Sequence, residues 1–266
     1  MKERALSEDE AIFTPLDFVR YVAENRKVSV DTIKVPQRLL ITYQRRTYEY
    51  GKKLIDGTSV DWWMYGESQP FCIGQFNHVE IGLGRFWVGA PAAVMTLEEL
   101  IACGAKTIFE VGVSGALQTF LKPSNIIVVT EAIRDEGTSY HYLLPKVKVE
   151  SSPRLRSKLI KHLNEGKIKH FVGPVWSTDG VYRETRNKFF KFRDSGILAV
   201  NMETSGIFAV AKYRNVEAAS AQVVSDVLSE TGWLQAFGHE QVRENARILV
   251  KAVLEALSEA QKFNTV

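Results

Sequence analysis

The chain has 266 residues, of which 45% are hydrophobic and 24% charged, an ordinary balance for a globular protein. Its formal net charge of +3, from 34 basic and 31 acidic residues, comes without a concentrated basic block, so the electrostatic footprint of a nucleic-acid binder is missing. Two cysteines, Cys72 and Cys103, provide neither a disulfide framework nor a metal-binding C-x-x-C motif. No apolar run reaches the length of a membrane span, and the charged N-terminus lacks a signal-peptide core. We therefore expect a cytoplasmic, metal-free protein with neither nucleic acid nor membrane as a partner.

The first 36 residues are polar with scattered aromatic side chains and end in Val35-Pro36, which indicates an N-terminal arm or lead-in helix over 1–36. The remaining residues, 37–266, are interpreted as one domain. Within it, short β-branched runs bounded by Gly, Pro or Ser alternate with helical patterns. Buried strands are predicted at 107–111, 125–133, 170–176 and 218–224.

Three helices are marked by their ends or by their apolar stripe. The segment 91–103 has Pro91 in a first-turn position and Gly104 just past its end, and a second helix begins at Ser152-Pro153 and ends near Gly166. The last helix places one apolar stripe against the sheet: Val242, Ala246, Leu249, Val253, Ala256 and Ala260. Alternating strands and helices predict an α/β fold, a single domain whose mixed central β-sheet is flanked by helices.

The most informative run lies between residues 200 and 226. Glu203 stands at the start of an amphipathic helical pattern, and about twenty residues later an apolar strand-like run ends in Ser225-Asp226. A carboxylate at a helix N-terminus and another at the C-terminal end of the following strand would meet in the crevice where α/β sheets bind ligands. Two carboxylates in that crevice indicate chemistry on a polar small molecule.

The motifs in this run resemble those of the nucleoside phosphorylase family, which contains uridine phosphorylase and the hexameric purine nucleoside phosphorylases. N-M-E-T-S at 201–205 and V-V-S-D at 223–226 carry the resemblance. The segments 88–100 (VGAPAAVMTLEEL), 112–118 (GVSGALQ), 134–142 (RDEGTSYHY) and 177–185 (STDGVYRET) follow in the family's order and at about its spacing. The similarity runs from about Arg38 to the C-terminus.

This resemblance implies a nucleoside phosphorylase-like fold and an enzyme that cleaves the N-glycosidic bond of a nucleoside by phosphorolysis, giving free base and ribose 1-phosphate. Nucleoside and phosphate would be its small-molecule partners, with no cofactor and no metal. Family members assemble as homodimers or homohexamers, often with a neighbour completing each site, so an oligomer is expected.

The resemblance also assigns site residues. Glu203 would bind the ribose hydroxyls, flanked by Asn201 and by Met202 packed against the sugar. Asp226, beside Ser225, would assist the leaving base, and aspartate at this position is typical of the purine-type members. The plainer interpretations are a first-turn glutamate favoured by the helix dipole and a Ser-Asp cap.

The base and the ribose 5′-hydroxyl have further candidates. Pyrimidine-type members carry Gln and Arg where an ungapped alignment places Thr185 and Asn187, so the uracil-reading pair is absent. Val181 replaces a family aromatic that stacks on the base, which leaves Tyr182 or Trp176 as the stacking partner. His141, in a polar and aromatic loop, would contact the ribose 5′-hydroxyl.

The phosphate site departs most from the family pattern. Glu110 stands where the phosphorylases carry an arginine, and a carboxylate facing phosphate is repulsive. The family's early G-D-P-x-R loop aligns with 42–46, where Arg46 alone is kept. Gly112 and Ser114, in a predicted strand-to-loop turn, would present backbone N–H groups to an anion.

These departures leave several functions open. Either phosphate is bound by other basic residues, with Arg46 or Arg85 as candidates, or water is the nucleophile and the enzyme is a nucleoside hydrolase. Uridine phosphorylase activity is also open, as is a catalytically silent nucleoside-binding protein. The position of Glu110 predicts weak phosphate dependence with a high phosphate KM, and Glu110→Arg should lower this KM or leave slow hydrolysis unaffected.

Overall fold

A computed structural model describes residues 11–259 of the chain. Its helices are α1 (Pro15–Arg26), α2 (Arg45–Leu54), α3 (Ala90–Ala102), α4 (Pro153–Glu165), α5 (Arg186–Asp194), α6 (Thr204–Tyr213) and α7 (Glu240–Ser258). Its strands are β1 (Arg38–Thr42), β2 (Thr58–Ser59), β3 (Phe71–Phe76), β4 (Val79–Arg85), β5 (Thr107–Ala116), β6 (Ile126–Asp135), β7 (Val149–Glu150), β8 (His170–Thr178), β9 (Ala199–Asn201), β10 (Glu217–Ser229) and β11 (Gly232–Gln235). The four predicted strands are confirmed as β5, β6, β8 and β10, each extending two to five residues further toward the C-terminus.

The predicted helix boundaries are confirmed because local capping chemistry sets them. The Ser152 hydroxyl accepts a hydrogen bond from the backbone N–H of Leu155 at the start of α4, and Pro153 occupies the first turn. Gly166 follows the last residue of α4. In α7 the predicted apolar stripe is buried as far as Ala256, while Ala260 lies outside the described residues.

The sheet is mixed, as the alternating pattern predicts, and it is also partly closed, which the pattern does not predict. Strand β10 pairs in parallel with β5 and antiparallel with β6, while β8 pairs in parallel with both β6 and β9. Since β9 in turn pairs antiparallel with β5, the strands β5, β10, β6, β8 and β9 form a closed ring. From β5 the sheet extends through β1, β4 and β3 to β2, while β11 pairs with β10 and β7 pairs with β6.

Two apolar layers cover the sheet. Helices α1, α3 and α6 contribute to one core, and α2, α4 and α7 to the other. Helix α1 packs on α3 through buried Val19, Val22 and Ala23, as a lead-in helix would, while the boundary at 36/37 stays a prediction. Helix α6 is buried from Thr204 to Ala211, so the amphipathic interpretation of this segment is wrong: it is a central helix.

The structure corrects two sequence interpretations of local backbone. The segment 112–115 is not a turn, because β5 continues through it to Ala116. Asp226 is not at the end of its strand, because β10 continues to Ser229 after a register shift between Val224 and Asp226. A bulge of this kind bends the strand and re-aims a side chain while the pairing resumes beyond it. Among residues 11–259 no helix is both long and apolar enough to cross a membrane.

Candidate active site

A cavity of about 540 Å³ lies at the end of the strand ring, where β5, β9 and β10 meet the start of α6. Its floor includes residues 113–115 of β5, residues 200–203 and Ser225-Asp226. Residues 181–190 and the β10–β11 hairpin form its walls. The sheet pairing explains why the cavity opens here. On one edge of β5, the pairing with β1 ends at Val111 and the pairing with β9 begins only at Gly115. Residues 112–114 therefore have a neighbouring strand only on the β10 side.

Glu203 is the N-cap of α6 and is 6% exposed. The backbone N–H of Gly89 donates to its Oε1 at 2.8 Å, and that of Met202 donates to its Oε2 at 3.1 Å. Each oxygen therefore keeps one lone pair for a ligand. Burial, and next the charge of Glu110, raise the pKa of Glu203 to about 8. Gly89 has φ of +100°, a conformation that favours glycine, so the backbone that positions Glu203 depends on that residue type.

Asp226 faces the same cavity from the bulge in β10 and is 7% exposed. The Ser225 hydroxyl donates to its Oδ1 at 2.7 Å, and the Trp233 indole N–H donates to its Oδ2 at 2.7 Å. A Cβ at Gly115 would lie 2.9 Å from Oδ2, so β5 also confines this carboxyl closely. The structure therefore brings Glu203 and Asp226 together in one cavity, both held by hydrogen bonds.

Asn201 and Met202 also line the cavity, but with different functions available to them. The Asn201 amide is engaged internally: its Oδ1 accepts from the Ser177 hydroxyl at 2.6 Å, and its Nδ2 donates to the Thr204 hydroxyl at 2.6 Å. Asn201 thus fixes the junction between β9 and α6. The Met202 side chain carries no such constraint and presents apolar surface to the cavity.

Aromatic side chains form much of the cavity wall. Tyr182, Phe189, Phe190, Trp233 and Phe237 all line it. Among them, Tyr182 is 97% exposed.

Trp176 does not contribute to this wall. It is fully buried, and its indole N–H donates to Asp135 at 2.9 Å, so the option that Trp176 stacks on a base is wrong. Sequence reasoning missed Phe189, Phe190, Trp233 and Phe237, because they follow the recognised motifs and only the fold returns them to the cavity.

Two charged residues beside Tyr182 were also missed. Glu184 and Arg186 both line the cavity, whereas Thr185 between them caps α5, its hydroxyl accepting from the backbone N–H of Lys188. Burial, and next the charge of Asp226, raise the pKa of Glu184 to about 7. A one-residue shift of the ungapped alignment would have found this pair instead of Thr185 and Asn187.

Ser114 completes the floor. It is 3% exposed, and its hydroxyl oxygen has no hydrogen-bond partner within the described part of the chain. A buried hydroxyl of this kind is costly unless a ligand or water satisfies it. It also lines the cavity, in the stretch of β5 that has a neighbouring strand only on the β10 side, so its hydroxyl is available to a polar ligand.

Comparison with known proteins identifies the family. A family model of the phosphorylase superfamily matches residues 47–259. The chain belongs to this superfamily. It is 27% identical over 160 residues to guanosine phosphorylase of Halorubrum lacusprofundi, covering 60% of this chain and 66% of that protein. It is 30% identical over 182 residues to uridine phosphorylase of Treponema pallidum, covering 62% and 69%. The first of these alignments thus spans just under two thirds of the relative.

A purine nucleoside phosphorylase of the DeoD type from Bacillus cereus is 31% identical over 158 residues, covering 58% of this chain and 66% of that protein. Among solved structures, uridine phosphorylase from Vibrio fischeri superposes with a TM-score of 0.77 at 24% identity, over 85% of this chain and 93% of that one. This likeness shows the fold, and it confirms the single-domain mixed α/β architecture predicted from the sequence.

In this member of the phosphorylase superfamily Glu110 does not face the cavity. It is 0% exposed, and it accepts hydrogen bonds from the Tyr43 hydroxyl at 2.7 Å and the Thr204 hydroxyl at 2.6 Å. Burial raises the pKa of Glu110, while the hydrogen bonds of Thr204, Ser220 and Tyr43 oppose the shift. The premise that this carboxylate faces a bound phosphate is therefore wrong. Instead, the Glu110 carboxyl connects β5 to the end of β1 and to the start of α6.

The other candidate phosphate and ribose contacts lie outside the cavity lining. Arg46 is exposed on α2, Gly112 packs against the Gln222 side chain, and His141 is exposed in a 3₁₀ turn. The Arg85 guanidinium donates to the carbonyls of Glu67 and Ser68. The roles of Arg46, Gly112 and His141 stay predictions. Among residues 11–259 no cluster of three His, Cys, Asp or Glu side chains could hold a metal ion.

Proposed function

We propose that this protein cleaves the N-glycosidic bond of a purine-type nucleoside by phosphorolysis, giving free base and ribose 1-phosphate. The observation that carries the proposal is the pair of hydrogen-bonded carboxyls, Glu203 and Asp226, in one cavity. The superfamily membership supports it, as do the guanosine, uridine and purine nucleoside phosphorylases among the relatives. No cofactor takes part, and phosphate is the co-substrate.

The chemistry divides between the two carboxyls. Glu203 accepts hydrogen bonds from two vicinal ribose hydroxyls with the lone pairs that Gly89 and Met202 leave open. Its negative charge stabilises the positive charge that develops on the sugar. The bond between C1′ and the base nitrogen breaks, and its electron pair leaves with the base. Asp226 supplies a hydrogen bond or a proton to a purine ring nitrogen. A phosphate oxygen forms the new bond to C1′ from the opposite face.

Two features support a purine over a pyrimidine. An aspartate faces the base side of the cavity, where a purine offers a second ring nitrogen to protonate. With the alignment shifted by one residue, Glu184 stands at the position of the glutamine of the pyrimidine-type family members, so a carboxyl replaces the amide of their amide and guanidinium pair.

The phosphate position is supported by the floor of the cavity. Ser114 offers its unpartnered hydroxyl, and residues 112–114 have an unpaired strand edge beside Tyr43 and Gln44. Arg186 is the one cation among the described lining residues, so further cations would come from a second copy of the chain. We propose a homodimer or homohexamer, supported by exposed apolar side chains before and on α3: Trp87, Val88 and Met95. Light scattering coupled to size-exclusion chromatography measures this state.

One observation favours a second candidate function, nucleoside hydrolysis by water. Glu184, Glu203, Asp226 and Glu230 line the cavity against the single guanidinium of Arg186, and an acidic cavity disfavours a phosphate dianion. In this reaction a water oxygen forms the new bond to C1′ and free ribose is released.

The deciding experiment incubates the protein with guanosine, inosine, adenosine and uridine, with and without phosphate, in ¹⁸O-labelled water. Phosphorolysis requires phosphate and yields unlabelled ribose 1-phosphate, whereas hydrolysis yields ¹⁸O-labelled ribose without phosphate. Cleavage of uridine alone would contradict the purine assignment. Tight nucleoside binding without any cleavage would identify a catalytically silent binding protein.

A further inference from the structure

The most informative unassigned feature is the alternation of side chains at the start of α5. Thr185 has an extended backbone and its hydroxyl caps the helix. In an extended segment the residues on either side of such a position share the opposite face. Glu184 and Arg186 accordingly both line the cavity, and neither side chain makes a hydrogen bond or ion pair with another of the residues 11–259.

The position of Glu184 places it beside the leaving base. It lies close enough to Asp226 for the two charges to interact, and it shares the cavity wall with Tyr182. Glu203, the ribose ligand of the proposed function, belongs to the junction of β9 and α6 instead. If Asp226 contacts the leaving base, as in the proposed function, then Glu184 beside it would contact the base as well.

An ionised carboxyl only accepts hydrogen bonds and a guanidinium only donates them. A 2-amino-6-oxopurine presents a matching edge: an oxygen acceptor at position 6, an N–H donor at position 1 and an amino donor at position 2. A 6-aminopurine presents an amino donor at position 6 and a nitrogen acceptor at position 1, which oppose a guanidinium and a carboxylate respectively.

We propose that Glu184 and Arg186 select guanine-type bases, with the Glu184 carboxylate accepting from N1–H and the 2-amino group and the Arg186 guanidinium donating to O6. The proposal rests on the proposed function, because it assigns the base subsite of the same cavity. Discrimination arises because a site built from charged hydrogen-bonding groups leaves them unpaired against the wrong base.

The state of Glu184 makes this selection dependent on pH. Its pKa of about 7 means that it gains a proton as the pH falls through neutrality, and the carboxyl then carries a donor that tolerates adenine N1. The other charged or titratable groups of the cavity are Asp226 and Glu230 from the β10–β11 hairpin, Glu203 before α6, Arg186 on α5, and Tyr43 and Tyr182. Glu203 acts on the ribose, which guanosine and adenosine share, so its titration cancels in the ratio of their kcat/KM values.

The test measures kcat/KM for guanosine, inosine and adenosine in the wild type, Glu184→Gln and Arg186→Met. We expect Glu184→Gln to lower kcat/KM for guanosine by about 100-fold and for inosine by about 10-fold, because inosine lacks the 2-amino group, and to raise kcat/KM for adenosine, because the glutamine amide can donate to adenine N1. Arg186→Met should lower kcat/KM for guanosine and inosine alike and leave kcat/KM for adenosine unaffected. Asp194→Asn, which alters a carboxyl at the far end of α5 outside the cavity lining, should change no ratio.

The wild-type guanosine-to-adenosine ratio should also rise with pH through about 7, and Glu184→Gln should abolish this rise. A second arm separates this inference from the proposed function, using calorimetric titration of free guanine and adenine into each variant. If Glu184→Gln cleaves nucleosides with an unchanged guanosine-to-adenosine ratio of kcat/KM, base selection by Glu184 is overturned and the enzyme assignment stands. If the protein binds guanine in a Glu184-dependent way but cleaves no nucleoside, base selection is supported and the enzyme assignment is overturned. If it neither binds guanine nor cleaves nucleosides, both claims are overturned.

Discussion

At the scale of single residues, the proposed site depends on carboxyls held out of water by specific donors. Glu203 has two backbone donors, and Asp226 has a hydroxyl and an indole donor. Preorganised groups of this kind need little rearrangement when charge develops on a substrate. Burial raises the pKa of Glu203 to about 8, so this carboxyl can be tested by pH as well as by mutation.

Glu203→Gln should lower kcat/KM by roughly 10²-fold, on the order of 3 kcal/mol, because an amide cannot accept from both ribose hydroxyls and both backbone N–H groups. In the wild type the ionised form is the competent one, so kcat/KM should rise with pH up to about 8, the pKa of Glu203. The variant should lose this rise. Unchanged nucleoside kinetics in a folded variant would remove Glu203 from the site.

The same raised pKa has a stability consequence of defined sign. The folded state binds the Glu203 proton up to about pH 8, whereas the unfolded carboxyl releases it near its ordinary value of 4.5. This group's contribution to stability is therefore complete below about pH 4.5 and is lost as the pH rises to about 8. The Tm measured from pH 5 to 9 should consequently fall less steeply in Glu203→Gln than in the wild type.

Asp226→Asn keeps the shape of the side chain but removes its acidic proton. Turnover of ordinary purine nucleosides should fall by roughly 10²–10⁴-fold, the usual cost of losing a general acid. Nucleosides whose base leaves without protonation should be spared, and comparing the two substrate types measures the effect. An equal decline for both types would make Asp226 a structural residue.

At the scale of elements, a buried polar network ties the strands to the helix that carries Glu203. Glu110 on β5 accepts from Tyr43, which follows β1, and from Thr204, the first residue of α6. Thr204 accepts in turn from Asn201 on β9. Because buried networks of this kind specify one arrangement when every member is satisfied, Glu110 sets the geometry of α6 without lining the cavity.

Glu110→Gln should cost about 1–3 kcal/mol of unfolding free energy, since one of its oxygens becomes a donor facing a hydroxyl donor. Glu110→Arg should cost more, about 3–5 kcal/mol, because it buries a cation without an acceptor. Urea denaturation measures both. A stable Glu110→Arg variant with a lowered phosphate KM would restore the interpretation of position 110 as part of a phosphate site.

At the scale of the whole molecule, the N-terminal helix supports the site from a distance. Helix α1 packs on α3, and Gly89, the N-cap of α3, donates to Glu203. The chain from 15 to 26 therefore belongs to the same packed body as the cavity, although the sequence there carries no site motif.

Val19→Asp places a charge in the α1–α3 contact, where the valine is buried, and should destabilise the protein by about 3 kcal/mol or more. Val28→Asp is the matched control, because Val28 is exposed just after the same helix, and it should change stability by less than about 0.5 kcal/mol. Thermal unfolding of both variants measures the difference. Equal Tm values would show that α1 contributes little to the fold.

Local sequence patterns were sufficient to predict the α/β class, the four principal strands, the helix ends and the two carboxyls. These features depend on apolar periodicity, capping residues and short motifs, all of which act over a few neighbouring positions. Three further features emerged only from the packed chain: β10 bulges at Asp226, Glu110 is buried among hydroxyls, and Glu184 and Arg186 line the cavity while Thr185 caps a helix. Such outcomes depend on which residues distant in the chain become neighbours when the strand ring closes, and that information is not contained in local spacing.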